Sequence, residues 1–290
     1  MNEIPSVSLQ SLSGKSFGFR IARNKEILLN EALDHDPFRP HRIRFYAILF
    51  VLKGEGIHYI DFKQYPYRAN SIIFISREQV HAFERNMERE AFFLLFSEEF
   101  LVRDNAHSNL MQELSLYNYH LYPPVIQLAP EQVDVFELLA TRMLVEFNRP
   151  DDLLTAEIMH ASLRIFLCLA ERIRKAHRDL NPKSKYQAAY TEFQKLLSQH
   201  ILNNRSVQFY AKQLHISPKT LNRITKEMLG QTAKNYIDDF LIIEMKRLLI
   251  NTSYSIKEIA YASGFEETTN FVKYFKKQTG MSPKVFRGQY

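Results

Sequence analysis

A chain of 290 residues and 34.2 kDa, with 24% charged residues and a single cysteine, has length for roughly two domains and for cores that need no disulfide or structural metal. The lone cysteine fits a reducing compartment. The longest apolar run, Tyr46 to Leu52, is far short of the ~20 residues of a membrane span, and the opening MNEIPSVSLQSLSGK has no apolar signal-peptide core. Disordered, collagen-like, disulfide-stapled and membrane classes are thereby excluded, and a cytoplasmic protein is expected. The net charge of +6 is unevenly placed: Thr191 to Tyr290 holds 15 basic residues against 8 acidic, and the rest holds 23 against 24. A polyanion is the natural partner for that last third.

In chain order, residues from about Phe17 to Phe96 read as short strands. Phe45 to Leu52 is aromatic and β-branched, Lys53-Gly54-Glu55-Gly56 is a turn signal, and Ile57 to Phe62 follows as a strand. Ser71 to Ser76, Val80 to Phe83 and Ala91 to Phe96 continue at spacings of a barrel or sandwich. The period then becomes helical. Glu131 to Asn148 is one helix, Arg149-Pro150-Asp151-Asp152 breaks it, and Leu153 to Ala176 is a second. Both carry more apolar surface than one packing face needs, which fits either packing on the barrel or a dimer seam. Cys168 sits in the apolar run Ile165 to Ala170 and reads as a buried, inert thiol. Arg178 to Lys185 is polar and reads as a linker. From Tyr190 onward the chain reads as helical apart from short turns.

The basic third repeats itself. At an offset of fifty, Arg223 aligns with Lys273, Lys226 with Lys276, Gly230 with Gly280 and Tyr236 with Phe286; upstream, at forty-nine, Ala211 aligns with Ala260 and Ile216 with Phe265. Each copy reads as helix, tight turn, helix. In the first, Val207 to Leu214 precedes Ser217-Pro218, a cap followed by proline at the first helical position. Lys219 to Leu229 follows and Gly230 stops it. In the second, Ser255-Ile256-Lys257-Glu258 is a capping box, Gly264 supplies the turn, and Glu267 to Thr279 is closed by Gly280. Ser282-Pro283 opens a last short helix. Two tandem helix-turn-helix patterns, both basic, point to duplex DNA as partner.

The stretch from Ser255 to Arg287, with Ile259-Ala260, Gly264-Phe265, Phe271, Phe275-Lys276-Lys277, Thr279-Gly280-Met281-Ser282-Pro283 and Phe286-Arg287 in order, resembles the DNA-binding domain of the AraC/XylS family of bacterial transcription regulators. The resemblance implies two helix-turn-helix units joined by a long helix, here Lys234 to Leu249, that read two successive major grooves. Pro40-His41-Arg42, Lys53 to Gly56, Phe74-Ile75-Ser76 and Gln79-Val80-His81 resemble the cupin-like regulatory domain of such regulators, although Asn70-Ser71 stands where Gly-Asp is usual. The expected architecture is α+β and multidomain: a cupin-like β-barrel over 1–125, helices over 126–180 that link or dimerise, and an all-α domain over 181–290. The implied partners are double-stranded DNA, a small-molecule effector, a second copy in a homodimer and, for an activator, RNA polymerase.

Base readers belong on the exposed N-terminal half of each second helix. Leu221 and Ile224 face the core in the first unit and leave Lys219, Asn222 and Arg223 outward; the family's base-reading positions fall on the same three. In the second, Phe271 and Phe275 face inward and leave Thr268, Thr269, Asn270 and Lys273, with Thr269 and Asn270 equally suited to capping. Arginine binds guanine, and asparagine adenine, through paired hydrogen bonds. Lys226, Lys276 and Lys277, further along, suit phosphates, as do the helix N-termini at Ser206 and Ser255. In the barrel, His41, Arg44, Tyr46, Tyr59, His81 and Phe83 are candidate effector contacts, beside their ordinary reading as core or solvated residues. A cupin enzyme with a DNA-binding appendage is the alternative. It needs a metal, and Ile43 and Ala47 or Ile48 stand where ligands would be. His41 and His81 alone are too few for a site, so neither metal nor cofactor is expected.

Overall fold

The structure, a computed structural model, describes residues 5–9, 18–28, 35–85, 88–101, 114–117, 122–178 and 186–289; most of the expected linker lies outside them. The chain divides into two compact units, one over Pro5–Leu180 and one from Asn181 onward.

The first unit contains β1 (Ser6–Val7), β2 (Phe19–Arg23), α1 (Asn24–Leu28), β3 (His41–Ile43), β4 (Tyr46–Lys53), β5 (Gly56–Ile60), β6 (Lys63–Tyr67), β7 (Ser71–Ile75), β8 (Val80–Phe83), β9 (Glu90–Phe96), α2 (Glu98–Leu101), β10 (Val125–Gln127), α3 (Pro130–Phe147) and α4 (Thr155–Arg178). The strands form two five-stranded sheets, ordered β1-β3-β8-β5-β6 and β10-β7-β4-β9-β2. Each sheet keeps its own edge strands, so the expected barrel is corrected to a two-sheet sandwich whose interior is filled by side chains. The second sheet is buried on both faces. Ala47, Leu49 and Val51 of β4, with Ile73, Ile75, Phe93 and Leu95, face the first sheet. Ile48 and Phe50, with Ile72, Phe74, Phe92 and Leu94, face Phe136, Met143, Leu163 and Phe166 of α3 and α4. That two-sided burial is why β4 is almost continuously apolar rather than alternating.

Two expectations shift here. Ile57 to Phe62 is not one strand: β5 ends at Ile60, and Asp61 and Phe62, at φ of 46° and 67°, make the two-residue turn into β6. The second long helix starts at Thr155, because the Asp152 carboxylate accepts from the backbone N–H of Leu154 and Thr155, both at 2.8 Å. Those hydrogen bonds hold its carboxyl below the usual range.

The second unit is all helix: α5 (Gln187–His200), α6 (Val207–Gln213), α7 (Pro218–Leu229), α8 (Ala233–Asn251), α9 (Ile256–Ala262), α10 (Thr268–Thr279) and α11 (Pro283–Arg287). Ser206, Ser217, Thr232, Ser255 and Ser282 cap the helices that follow them. Gly230 and Gly280, both left-handed, end α7 and α10. The repeat is reproduced in the backbone: Ala211 C=O accepts from Ile216 N–H at 3.0 Å, and Ala260 C=O from Phe265 N–H at 2.9 Å. The left-handed turn residue is Gly264 in the second copy but His215 in the first, at φ of 72° and 54°. Only the second has to be glycine, since a Cβ there would lie 2.6 Å from the Leu202 carbonyl oxygen.

Candidate nucleic-acid interface

Helix α7 buries Leu221, Ile224 and Thr225 and presents Lys219, Arg223 and Lys226 to solvent. Helix α10 buries Phe271 and Phe275; Thr269, Asn270, Lys273, Lys276 and Lys277 are exposed and Thr268 is half-buried. Among the described residues none of these lysines, nor Arg223, forms an ion pair, so their charge is available to a polyanion. The Arg223 guanidinium rests 5.2 Å from the centroid of the Tyr186 ring.

Asn222 departs from the outward placement expected of it. It is half-buried, its Oδ1 accepts from Ala233 N–H at 3.0 Å, and its Nδ2 donates to the Pro218 carbonyl at 3.2 Å. The amide oxygen thus joins α7 to the start of α8, the amide nitrogen bonds back within α7, and Lys219 and Arg223 form the outward face. The serines are also occupied. Ser206 Oγ accepts from Phe209 N–H. Ser255 Oγ accepts from Glu258 N–H, while Glu258 accepts from Ser255 N–H at 2.7 Å. Their hydroxyls work as caps, and the Glu258 carboxylate takes up the Ser255 N–H.

Contacts that sequence reading missed seat the second copy. Tyr274 Oη donates to Asp238 of α8 at 2.7 Å, which pushes the Tyr274 hydroxyl pKa up, burial contributing most. The Arg205 guanidinium lies 3.9 Å from the Phe265 ring centroid. Arg287 donates to the carbonyls of Leu249 and Tyr254, both at 2.7 Å.

In the first unit the six candidate effector contacts separate. His41, His81 and Phe83 line a cavity of about 40 Å³ between the sheets, with His35, Phe45 and Phe93. Arg44 is exposed and donates to Ser6 Oγ at 2.9 Å; Tyr59 is exposed; Tyr46 packs on Phe96 and Tyr117 at the other core. These three therefore lie away from the cavity. Strand pairing explains the cluster that remains. His41 lies opposite His81 and His58 opposite Phe83, so imidazoles line up in a row: His35 to His41 at 4.5 Å between centroids and His41 to His81 at 4.2 Å, both tilted, and His81 to His58 at 5.3 Å, stacked, with His81 Nδ1 3.2 Å from His58 Nε2. Burial above all holds three of them neutral, with His41 lowered to about 4, His58 to about 3, and His81 well below its ordinary value. No group of three or more His, Cys, Asp or Glu among the described residues is arranged to hold a metal ion.

Two family descriptions match this chain: a helix-turn-helix domain over residues 210–289 and an AraC-like ligand binding domain over residues 28–217. The HTH-type transcriptional activator RhaS of Escherichia fergusonii is 24% identical over 274 residues, 94% of this chain and 95% of that protein. The uncharacterized HTH-type transcriptional regulator YfiF of Bacillus subtilis is 24% identical over 257 residues, 86% and 79% of the two chains. Among solved structures, unsaturated fatty acid-bound ToxT from Vibrio cholerae aligns over 95% of this chain and 96% of that one, at 16% identity and a TM-score of 0.43.

Proposed function

The chain belongs to the AraC/XylS family of DNA-binding transcription regulators, and from that premise we propose how it reads its site and what it assembles with. Helices α7 and α10 enter two successive major grooves. Lys219 and Arg223 read bases from the first; Thr268, Thr269, Asn270 and Lys273 read from the second. Lys226, Lys276 and Lys277 neutralise phosphates further along. The observation that carries this reading is the pair of structurally matched helix-turn-helix copies, each with unpaired cations on the outer face of its second helix. Asn222 is reassigned from base contact to holding α7 against α8.

The protein works as a cytoplasmic homodimer responsive to a small molecule, without metal, cofactor or enzymatic activity. The dimer is supported by a second apolar row along α4: Leu154 just before it, and Ile165 and Cys168 on it, are exposed (the thiol's expected burial is thereby corrected), and with Ile158 and Ala161 they follow the alternating four-three spacing of a coiled-coil seam. Effector binding is supported by the matched ligand-binding region; the cavity, far below the ~300–1,000 Å³ of drug-sized sites, takes a small group or opens on binding. RNA polymerase is the further partner if the output is activation.

Selection of binding sites from a random duplex pool with the full chain tests this. The expected product is an enriched sequence with two conserved blocks per bound chain, about one helical turn apart. Recovery of DNA with no enriched sequence would contradict it.

A further inference from the structure

Resting on the assignment of Arg223 as a base reader, we propose that Tyr186 is a positioning residue for that reading: its ring is the platform that holds the Arg223 guanidinium before DNA arrives. Arg223 is exposed on α7, and its Cζ lies 5.2 Å from the Tyr186 ring centroid. Among the described residues no carboxylate pairs with it, so the ring is the contact that orients it. Tyr186 comes from a different element, the N-cap of α5. It is 9% exposed, and its carbonyl accepts from Tyr190 N–H at 2.9 Å, so the platform is itself fixed.

The chemistry suits a reader rather than a structural pair. A contact between a cation and a ring uses no carboxylate, and with no ion pair to Arg223 among the described residues its N–H donors are not tied up in one. They are left for guanine O6 and N7. A carboxylate partner would consume those donors and have to be exchanged for the base. Holding a long, rotamer-rich side chain in advance reduces what is lost on binding.

The second copy lacks the device. Its equivalent residue is Lys273, exposed, and an ammonium has no plane to lay on a ring. The first helix-turn-helix copy therefore supplies the sharper base discrimination and the second copy the looser grip.

The test uses the full chain on the selected site and on scrambled duplex. Tyr186→Leu is expected to weaken site binding about fivefold, the size of one exposed cation–π contact, with scrambled binding unchanged. Tyr186→Phe should keep the full preference, and Tyr186→Leu should add nothing in an Arg223→Ala background. Equal losses on both duplexes, a loss that persists without Arg223, or lost preference in Tyr186→Phe would each overturn the proposal. One readout needs no variant: the Arg223 side-chain resonances should carry a ring-current shift in the free protein, and its absence would also overturn it. If Arg223→Ala itself weakened both duplexes equally, the base-reading assignment would fall and take this inference with it. A site-selective Arg223→Ala beside an indifferent Tyr186→Leu would sink this inference alone.

Discussion

Replacing Asn222 by alanine separates a structural amide from a base reader. The substitution removes the acceptor of Ala233 N–H and the donor to the Pro218 carbonyl together. Ala233 is fully buried at the first turn of α8, so its N–H is left without a partner. An unmade buried hydrogen bond costs about 1–3 kcal/mol. In a unit of roughly 100 residues each kcal/mol moves Tm by about 4–8 °C, so the transition of this unit should fall by roughly 4–24 °C. Asn222→Asp keeps the acceptor and sets a carboxylate at the N-terminus of α8, where the helix dipole favours it, so most of the loss should be recovered. Hydrogen exchange should show Ala233 losing protection in Asn222→Ala and regaining it in Asn222→Asp. Once the folded fraction is counted, site and scrambled duplex should be affected equally by the alanine variant. An Asn222→Ala protein of unchanged stability that lost its preference at one base pair would refute the reasoning.

Arg223→Ala should cost about 1–3 kcal/mol on the selected site and relax preference at one position, whereas Lys276→Ala should weaken all sequences alike and lower the salt slope by about 1; competition binding at several salt concentrations separates them. Gly264→Ala should destabilise the second unit by more than Gly230→Ala in thermal melts. Both sit at positive φ, but only the first would drive a Cβ onto a backbone oxygen, and nothing lies within 4 Å of the second. The histidine row should make the first unit acid-labile. His41 and His58 are lowered from 6.5 to about 4 and about 3, so below pH 6.5 the unfolded chain binds the extra protons. Stability is complete above about 6.5 and falls as the pH drops towards 4, by about 3 kcal/mol from His41 alone. Denaturant melts that are flat from pH 7 to 4.5 would contradict this.

The helix-turn-helix copies were legible in the sequence because their signals are local: a serine cap, proline at the first helical position and a closing glycine each act within one turn. Even the missing glycine at His215 did not hide the first copy, since Ala211 and Ile216 keep the spacing of Ala260 and Phe265. What escaped is set by partners distant in sequence. Nothing near Asn222 announces Ala233 N–H as its partner, and an outward helical position with a base-reading side chain was the natural reading. Tyr186 lies 37 residues from Arg223 and carries no motif. In the first unit, Asp61-Phe62 replaces the Asn-Gly that marks a tight hairpin, and Pro66 lies inside β6, so that edge strand was not anticipated. His41, His81 and Phe83 reached the cavity and Arg44, Tyr46 and Tyr59 did not. That division follows the face each strand position points to, which only the register with neighbouring strands decides.

On the proposed reading, α7 and α10 of one chain enter two successive major grooves. Methylation interference on the selected duplex reports on both at once, because guanine N7 lies in the major groove. Two clusters of interfering guanines per bound chain are expected, about 10 base pairs apart on one face of the duplex, with Arg223→Ala erasing interference in one cluster only. A single cluster, or two clusters that both survive Arg223→Ala unchanged, would overturn the two-groove reading.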